Sequence, residues 1–210
     1  MKRFSFLSIF LGLLFVSLLQ AAVADTTTTE PTILVFGDSL SAGYGLQKGE
    51  EWPALLQKKL QAEQKNYTII NASISGETTL EGLARFRTTF DKYKPEILIL
   101  ELGANDGLRG KSLKKMSGNL KSMIHYSQQH EAKVLLVGME LPANYGKRYV
   151  TAFRDSFPQV AEETNIPLTP FLLSGLKGKP ELFQDDGLHP KAEAQPMLLN
   201  TVWQSLQPLL

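Results

Sequence analysis

A serine and a histidine, 150 residues apart, are the side chains of this sequence best suited to nucleophilic chemistry. Ser39 follows a short apolar run at residues 32–36, which predicts a buried strand with the serine at its exit. A serine hydroxyl is a weak nucleophile near neutral pH, so it needs a neighbouring base. His189 is the candidate base, because it lies in a polar loop with Asp186 three residues upstream. These residue types can cleave acyl bonds through a covalent intermediate.

Each of these residues also has a purely structural interpretation. A serine in a turn hydrogen-bonds to its own backbone, and Asp186 could instead cap the helix that follows it. Asp185 is a rival for the acid, although its spacing of four residues from His189 supports it less. His125 and His130 lie on one predicted helix, roughly 140° apart around its axis, so they do not form a metal-binding pair.

Acyl transfer also needs hydrogen-bond donors for the charge that develops on the carbonyl oxygen. Gly76 and Asn105 each come shortly after a predicted strand, at residues 67–71 and 97–102. A glycine lets its backbone N–H approach a ligand closely, and an asparagine amide can donate; the alternatives are a turn glycine and an Asx-turn. Because parallel strands share one carboxyl edge, these two residues and Ser39 are expected along one crevice.

Strand and helix patterns alternate along the chain. The apolar run at 97–102 is continuous, which is typical of a strand buried on both faces of a parallel sheet. The alternation predicts a three-layer α/β/α sandwich around a parallel sheet. The predicted strands are residues 32–36, 67–71, 97–102, 134–139 and a short one within 167–173, and the predicted helices are residues 52–65, 80–93, 112–130, 149–165 and 192–206.

The first 24 residues have the order of a secretory signal peptide. Lys2 and Arg3 precede an apolar stretch at residues 4–19, and Ala22 and Ala24 supply the small residues of a cleavage site. The alternative is an uncleaved anchor, but the apolar stretch is short for a membrane span of ~20 residues. We therefore expect an exported, periplasmic protein with a single domain at residues 25–210.

Composition excludes several classes of function. The formal net charge is +1 without a basic block, which disfavours a nucleic-acid partner. The sequence contains no cysteine, which excludes a cysteine nucleophile and thiolate metal sites. No later stretch of the sequence is apolar enough to cross a bilayer.

Four short blocks of the sequence resemble those of the SGNH/GDSL hydrolase superfamily, in the order in which that superfamily has them. The resemblance extends over nearly the whole chain after residue 24. It is strongest to exported bacterial enzymes that act on thioesters, aryl esters and lysophospholipids. The blocks are GDSL at residues 37–40, Gly76, GAND at residues 103–106 and DGLHP at residues 186–190.

The resemblance implies a role for each block residue. Ser39 would be the nucleophile, His189 the base and then the acid, and Asp186 the residue that orients the histidine. The backbone N–H groups of Ser39 and Gly76 and the side chain of Asn105 would form the oxyanion hole. The implied fold is flavodoxin-like with a five-stranded parallel sheet, and the implied chemistry needs no cofactor and no metal.

The implied reaction is two-step hydrolysis of small acyl esters or thioesters, with lysophospholipid as a further substrate. Leu141, Tyr145 and Tyr149 follow the fourth predicted strand and are candidates for binding the acyl chain. A carbohydrate acetyl esterase of the same superfamily and a non-catalytic binding module are the alternatives. An ordinary α/β-hydrolase is disfavoured, because Ser39 lacks the Gly-x-Ser-x-Gly elbow. We expect a monomer without a stable membrane span in its mature form.

Overall fold

The structure, a computed structural model, describes residues 30–210 and contains one parallel β-sheet between two layers of helices. The sheet order is β2-β1-β3-β4-β5, with every neighbouring pair parallel. This is the flavodoxin-like order, so the predicted three-layer fold with five parallel strands is confirmed. The strands are β1 (Thr32–Gly37), β2 (Thr68–Asn71), β3 (Ile97–Glu101), β4 (Lys133–Val137) and β5 (Leu168–Thr169).

The predicted signal peptide at residues 1–24 lies outside the described residues. None of the helices within residues 30–210 combines the length and the apolar character that a membrane crossing requires. The helices are α1 (Ser39–Ala42), α2 (Trp52–Ala62), α3 (Thr79–Tyr93), α4 (Ala104–Leu108), α5 (Leu113–Gln129), α6 (Lys147–Thr164) and α7 (Gln195–Leu206).

The central strands are covered on both faces, which explains their continuous apolar sequence. Every residue of β3 is buried, and so are five of the six residues of β1. Helices α3, α5 and α6 pack side by side in one layer, and α2 and α7 pack together in the other. Because crossover helices cover both faces of the sheet, only its edges and ends remain open to ligands.

Two short helices follow β1 and β3 without a counterpart among the predicted elements. Ser39 begins α1, which ends at Ala42, and the Asp38 carboxylate caps its first turn by accepting the Leu40 N–H at 3.1 Å. Helix α4 begins directly after Gly103. A helix of four or five residues is too short to show a hydrophobic period, so the sequence pattern does not reveal it.

The long helices agree with the predicted ones except at their ends. Helix α3 begins with a capping box between Thr78 and Glu81, and α5 begins after its N-cap Ser112. Helix α6 begins two residues earlier than predicted, directly after Gly146. The last predicted helix is divided, because a 3₁₀ turn at Ala192–Ala194 precedes α7.

Candidate active site

Ser39, His189 and Asp186 form one line of hydrogen bonds at the carboxyl edge of the sheet. The Ser39 hydroxyl lies 2.8 Å from Nε2 of His189, and Nδ1 of the same ring lies 2.6 Å from Oδ2 of Asp186. A neutral imidazole held with its proton on Nδ1 presents a free Nε2 lone pair to the serine. The arrangement can therefore remove the serine proton and stabilise the imidazolium that results.

The acid and the histidine are joined within one tight turn. Oδ1 of Asp186 accepts the backbone N–H groups of Leu188 at 2.9 Å and of His189 at 3.0 Å, while Oδ2 faces the ring. The backbone N–H of His189 and the imidazole lower the pKa of Asp186 to about 2, against the smaller opposing effect of burial. The side chain stays ionised across the physiological range. The rival Asp185 makes none of these hydrogen bonds.

The side-chain amide of Asn105 is fixed from both ends. Its Nδ2 donates to Oδ2 of Asp38 at 3.1 Å, and its Oδ1 lies 3.5 Å from the Arg109 guanidinium. The same guanidinium donates to the Gly76 carbonyl at 2.7 Å. One Nδ2 hydrogen of Asn105 therefore remains available to a ligand, in a known orientation. Gly76 also lines the cleft, and its φ of +80° is a conformation that favours glycine.

Beneath the serine lies a pair of buried carboxyl groups. Asp38 and Glu101 are 1 % and 0 % exposed, and Oε2 of Glu101 accepts the Ser41 hydroxyl at 2.7 Å. Burial raises the pKa of Asp38 to about 6, opposed by its hydrogen bonds to the Leu40 N–H and to Asn105. Burial and the neighbouring Asp38 carboxylate raise the pKa of Glu101 well above its usual range. Above about pH 6, the pair therefore holds its negative charge on Asp38, the member that binds Asn105.

This pair predicts that the rate falls at acid pH. The Asp38 pKa lies above its ordinary value, so the carboxyl gains a proton as the pH falls through about 6 and loses its charge toward Asn105. We expect kcat/KM of the unmodified enzyme to fall through this range, and the Asp38→Asn variant, whose amide does not titrate, to lose the part of the fall that Asp38 causes. Identical acid limbs in the pH–rate profiles of the two enzymes would contradict this prediction.

Gln184 joins the histidine loop to the serine loop. Its side-chain Nε2 donates to the Tyr44 carbonyl at 2.8 Å and lies 3.2 Å from the Pro190 carbonyl, and its backbone N–H donates to the His189 carbonyl at 2.8 Å. The Tyr44 ring lies against the imidazole, with 4.5 Å between ring centroids. A Cβ atom at Gly45 would come within 2.2 Å of the Gln184 amide oxygen, so the contact also requires a glycine there.

We expect Gln184→Met to lower kcat by roughly ten- to a hundredfold with little change in KM, since small misplacements of a catalytic group have effects of that size. Gln195→Met is the matched control. The Gln195 amide oxygen accepts the Trp52 N–H at 3.0 Å and joins the start of α7 to the start of α2, outside the cleft lining. That variant should lower the melting temperature and keep turnover, because it leaves a buried donor unpaired. Equal losses of kcat in both variants would assign Gln184 a structural role only.

The catalytic residues Ser39 and His189 line part of a cleft of about 600 Å³, and most of the other residues that line it are apolar. Leu141 lines this cleft, as the sequence predicts for an acyl-binding residue. Tyr145 and Tyr149 lie on the adjoining surface, where their hydroxyls donate to the Leu108 and Gly107 carbonyls at 3.1 and 3.2 Å. A substrate-binding role for these three residues stays a prediction. Further apolar residues of the cleft are Leu40, Leu108, Met139, Pro142, Phe171, Leu173, Phe183 and Leu188.

Sequence reasoning assigned no role to Asp38, Arg109, Gln184 or the cleft residue Phe171. Asp38 is buried, and it lies directly between a predicted buried strand and Ser39. That position in the sequence was the signal that could have indicated a role for it. The other three reach the site through contacts across the fold, for which the sequence carries no local pattern. Within residues 30–210, no group of three or more His, Asp or Glu side chains is placed to hold a metal ion.

Comparison with known proteins agrees with this geometry. The GDSL-like Lipase/Acylhydrolase family profile matches residues 35–195, a span that includes all four sequence blocks. The chain belongs to this family. As a GDSL-like hydrolase, it is similar to Esterase TesA of Pseudomonas aeruginosa, with 47% identity over 85% of this chain and 89% of that one.

Two further comparisons extend the similarity. The Escherichia coli K12 protein "Thioesterase 1/protease 1/lysophospholipase L1" is 41% identical over 91% of this chain and 88% of its own length. The crystal structure of TesA superposes with a TM-score of 0.83 and covers 85% of this GDSL-like hydrolase and 99% of the TesA chain. The protein is therefore a GDSL-type serine hydrolase that acts on ester bonds, and the family resemblance read from the sequence is confirmed.

Proposed function

We propose that the protein hydrolyses carboxylic esters and thioesters of fatty acyl chains, through an acyl-enzyme on Ser39. The observation that carries this proposal is the unbroken line of hydrogen bonds from Asp186 through His189 to Ser39, at the polar end of an apolar cleft. A nucleophile with its base and orienting acid supplies the chemistry. The cleft supplies a place for the acyl chain.

In the first half-reaction, the Ser39 oxygen attacks the acyl carbonyl carbon while its proton passes to Nε2 of His189. The carbonyl oxygen becomes an oxyanion, which accepts hydrogen bonds from the Ser39 and Gly76 N–H groups and from the Asn105 amide. When the tetrahedral species collapses, the bond to the alcohol or thiol breaks. The imidazolium gives its proton to that leaving group, and the acyl group remains on Ser39.

In the second half-reaction, a water molecule takes the place of the leaving group. Nε2 of His189 accepts one proton from the water, whose oxygen attacks the acyl carbonyl of the ester on Ser39. The same donors hold the second oxyanion. Collapse returns the proton to the Ser39 oxygen and releases a carboxylic acid. Throughout both steps, Asp186 stays ionised and keeps the imidazole in one orientation.

The apolar lining of the cleft supports an acyl group longer than acetyl. Met139, Leu141, Phe171 and Leu173 line the cleft together with a smaller number of polar side chains, among them Glu140 and Lys177, and this mostly apolar lining favours a fatty acyl chain over a sugar. A relative from Vibrio mimicus is named an arylesterase, and the Escherichia coli relative is named a thioesterase and a lysophospholipase. We propose lysophospholipids and long-chain thioesters as substrates, together with simple esters.

For the whole protein, we propose export to the periplasm as a monomer of one domain, residues 25–210, after cleavage near Ala24. The support is the order of charged, apolar and small residues at the N-terminus. In that compartment the enzyme would not meet cytosolic acyl-CoA. Thioester cleavage is then a capacity of the site, and an ester is its natural substrate.

A comparison of substrates tests the proposal. The specificity constant kcat/KM is measured for a short aryl ester, a long-chain acyl-CoA, a lysophospholipid and an acetylated oligosaccharide. We expect the long-chain substrates to exceed the acetylated sugar by at least tenfold. A preference for the acetylated sugar would select the alternative function, and the absence of turnover on all four would contradict hydrolysis of these esters.

A further inference from the structure

The large apolar side chains that are exposed within residues 30–210 all lie on loops or first helical turns at the catalytic edge of the sheet. They are Tyr44 (53 %), Ile74 (49 %), Leu80 (62 %), Tyr145 (38 %) and Leu188 (42 %). These segments follow β1, β2, β4 and β5, at the carboxyl ends of the strands. An exposed apolar side chain is unremarkable singly, but their concentration around one opening marks an interaction surface.

Two of the five, Tyr44 and Leu188, line the cleft itself, whereas the other three lie outside it, on α3 or on the segments that lead into α3 and α6. We call Ile74, Leu80 and Tyr145 the apolar rim. The Ile74 N–H donates to the Gly37 carbonyl at 3.0 Å, which places the rim's first member at the end of β1.

Hydrogen bonds join the three loops that carry the rim. The Arg109 guanidinium binds the Gly76 carbonyl at 2.7 Å and so links the loop after β3 to the loop after β2. The Tyr145 hydroxyl binds the Leu108 carbonyl at 3.1 Å and links the loop after β4 to the same segment. The buried Asp106 carboxylate accepts the N–H of Thr79, the neighbour of Leu80, at 2.7 Å. These hydrogen bonds hold the loops that carry the rim in fixed positions relative to one another.

Exposed cations accompany the apolar rim. They are Arg109, Lys111, Lys147 and Arg148, and none of them forms an ion pair within residues 30–210. The exposed acid nearest to them is Glu81, whose pKa is lowered mainly by its hydrogen bonds to Thr78 and to a lesser degree by Arg109 and Lys111.

The remaining acids of these loops are buried or paired with a cation. Glu77 and Asp106 are buried, the first against Arg85 and the second against Thr79. Glu140 pairs with Lys177 at 3.0 Å. The rim side of the mouth therefore presents four unpaired cations and one exposed acid, which is complementary to an anionic partner.

The position of Lys147 and Arg148 strengthens this point. Both lie in the first turn of α6, which contains no acidic residue. The helix dipole disfavours cations at this end of a helix. With Tyr145 and Tyr149, the two cations line a shallow surface depression. A residue that destabilises the start of its helix, without a compensating contact elsewhere in the fold, is typically retained because it has a function.

We propose that this surface, the apolar rim with its four cations, docks the enzyme onto an anionic phospholipid membrane. Apolar side chains flanked by unpaired cations are the two components by which a surface enters a lipid interface. A lipid partner fits better than a protein, because the apolar residues stand singly around an opening and not as one packed patch. Docking there would turn the mouth of the cleft toward the bilayer, so that an acyl chain could enter without crossing water.

Vesicle binding tests the proposal directly. The protein is sedimented with vesicles of phosphatidylglycerol and phosphatidylcholine at 30:70, and with pure phosphatidylcholine vesicles, using about physiological salt. We expect binding to the anionic vesicles only. The double variant Lys147→Glu/Arg148→Glu should weaken it at least about thirtyfold, and the double variant Ile74→Ser/Leu80→Ser should weaken it tenfold or more. Neither pair lines the cleft, so turnover of a short soluble aryl ester should be unchanged.

The matched control is the double variant Lys65→Glu/Lys94→Glu. These exposed residues precede β2 and β3, at the amino ends of the strands, so the variant should bind vesicles like the unmodified protein. Added tryptophan reporters give a readout that any contact made by the N-terminal segment leaves intact, and the emission of the native Trp52 and Trp203 is subtracted by using the unmodified protein as the reference. The fluorescence of a Leu80→Trp variant should be quenched by brominated lipid, and that of a Lys65→Trp variant should not. Absence of binding to anionic vesicles, equal binding by all charge variants, or equal quenching at both positions would overturn the proposal.

Discussion

Ser39→Ala is expected to lower turnover of every ester substrate by about 10⁶-fold. The Ser39 hydroxyl donates to Nε2 of His189 at 2.8 Å, and Ser39 lines the cleft. Without this hydroxyl, no acyl-enzyme can form, so neither half-reaction can take place. A residual rate of roughly 10³ over the uncatalysed reaction should persist, because the oxyanion donors and the cleft remain. Initial rates on a chromogenic ester measure this loss of turnover.

Labelling by a fluorophosphonate probe gives an independent readout of the same residue. The probe should modify the unmodified protein at one residue and leave Ser39→Ala unlabelled. Ser75→Ala is the matched control, since Ser75 also lines the cleft but makes no hydrogen bond to the histidine. Labelling that survives in Ser39→Ala would show that another residue is the nucleophile. Loss of activity in Ser75→Ala would show that the effect is not specific to Ser39.

Asp186→Asn is expected to lower kcat by roughly 10³–10⁴ while KM changes little. An amide at this position can donate to Nδ1 of His189 and so leave the proton on Nε2, the nitrogen that must accept the serine proton. The carboxylate is 38 % exposed, so water screens part of its charge. The tautomer of the ring, and not the charge alone, therefore accounts for the expected loss.

Asp185→Asn is the control for this prediction, because it changes the same kind of side chain one position earlier in the same loop. We expect turnover within about twofold of the unmodified enzyme, since Asp185 makes no hydrogen bond to the imidazole. A proton NMR spectrum should show a low-field Nδ1–H resonance in the unmodified enzyme and in Asp185→Asn, and none in Asp186→Asn. A comparable loss of kcat in both variants would reopen the choice between the two acids.

The sequence was sufficient for the fold because its strands and long helices carry strong local patterns. The run at residues 97–102 is buried throughout, and the alternation of strand and helix leaves few topologies to choose from. The ends of elements were less predictable. Tight caps and short turns depend on single hydrogen bonds, such as the Asp38 carboxylate on the Leu40 N–H, which leave no period in the sequence.

The site residues likewise divide into those that a local sequence pattern predicts and those that only the tertiary fold brings together. Asp186 and His189 were predictable as a pair, because one turn joins them and the spacing of three is a local property. Asp38 and Glu101 meet only because β1 and β3 are neighbours in the sheet, and Gln184 meets Tyr44 only when the chain ends dock. Contacts of this kind follow from the tertiary fold, so no pattern of neighbouring residues could have indicated them.

The distance along the chain between Ser39 and His189 has a consequence for biosynthesis. The nucleophile is made among the first forty residues, but its base arrives about 150 residues later, on the loop that precedes the last helix. A nascent, truncated or partly unfolded chain therefore carries an inert serine. Long-range contacts of this separation form late in folding. On the export route proposed above, the unfolded chain would be harmless to the lipids it passes and would become a hydrolase only after its C-terminal segment has docked.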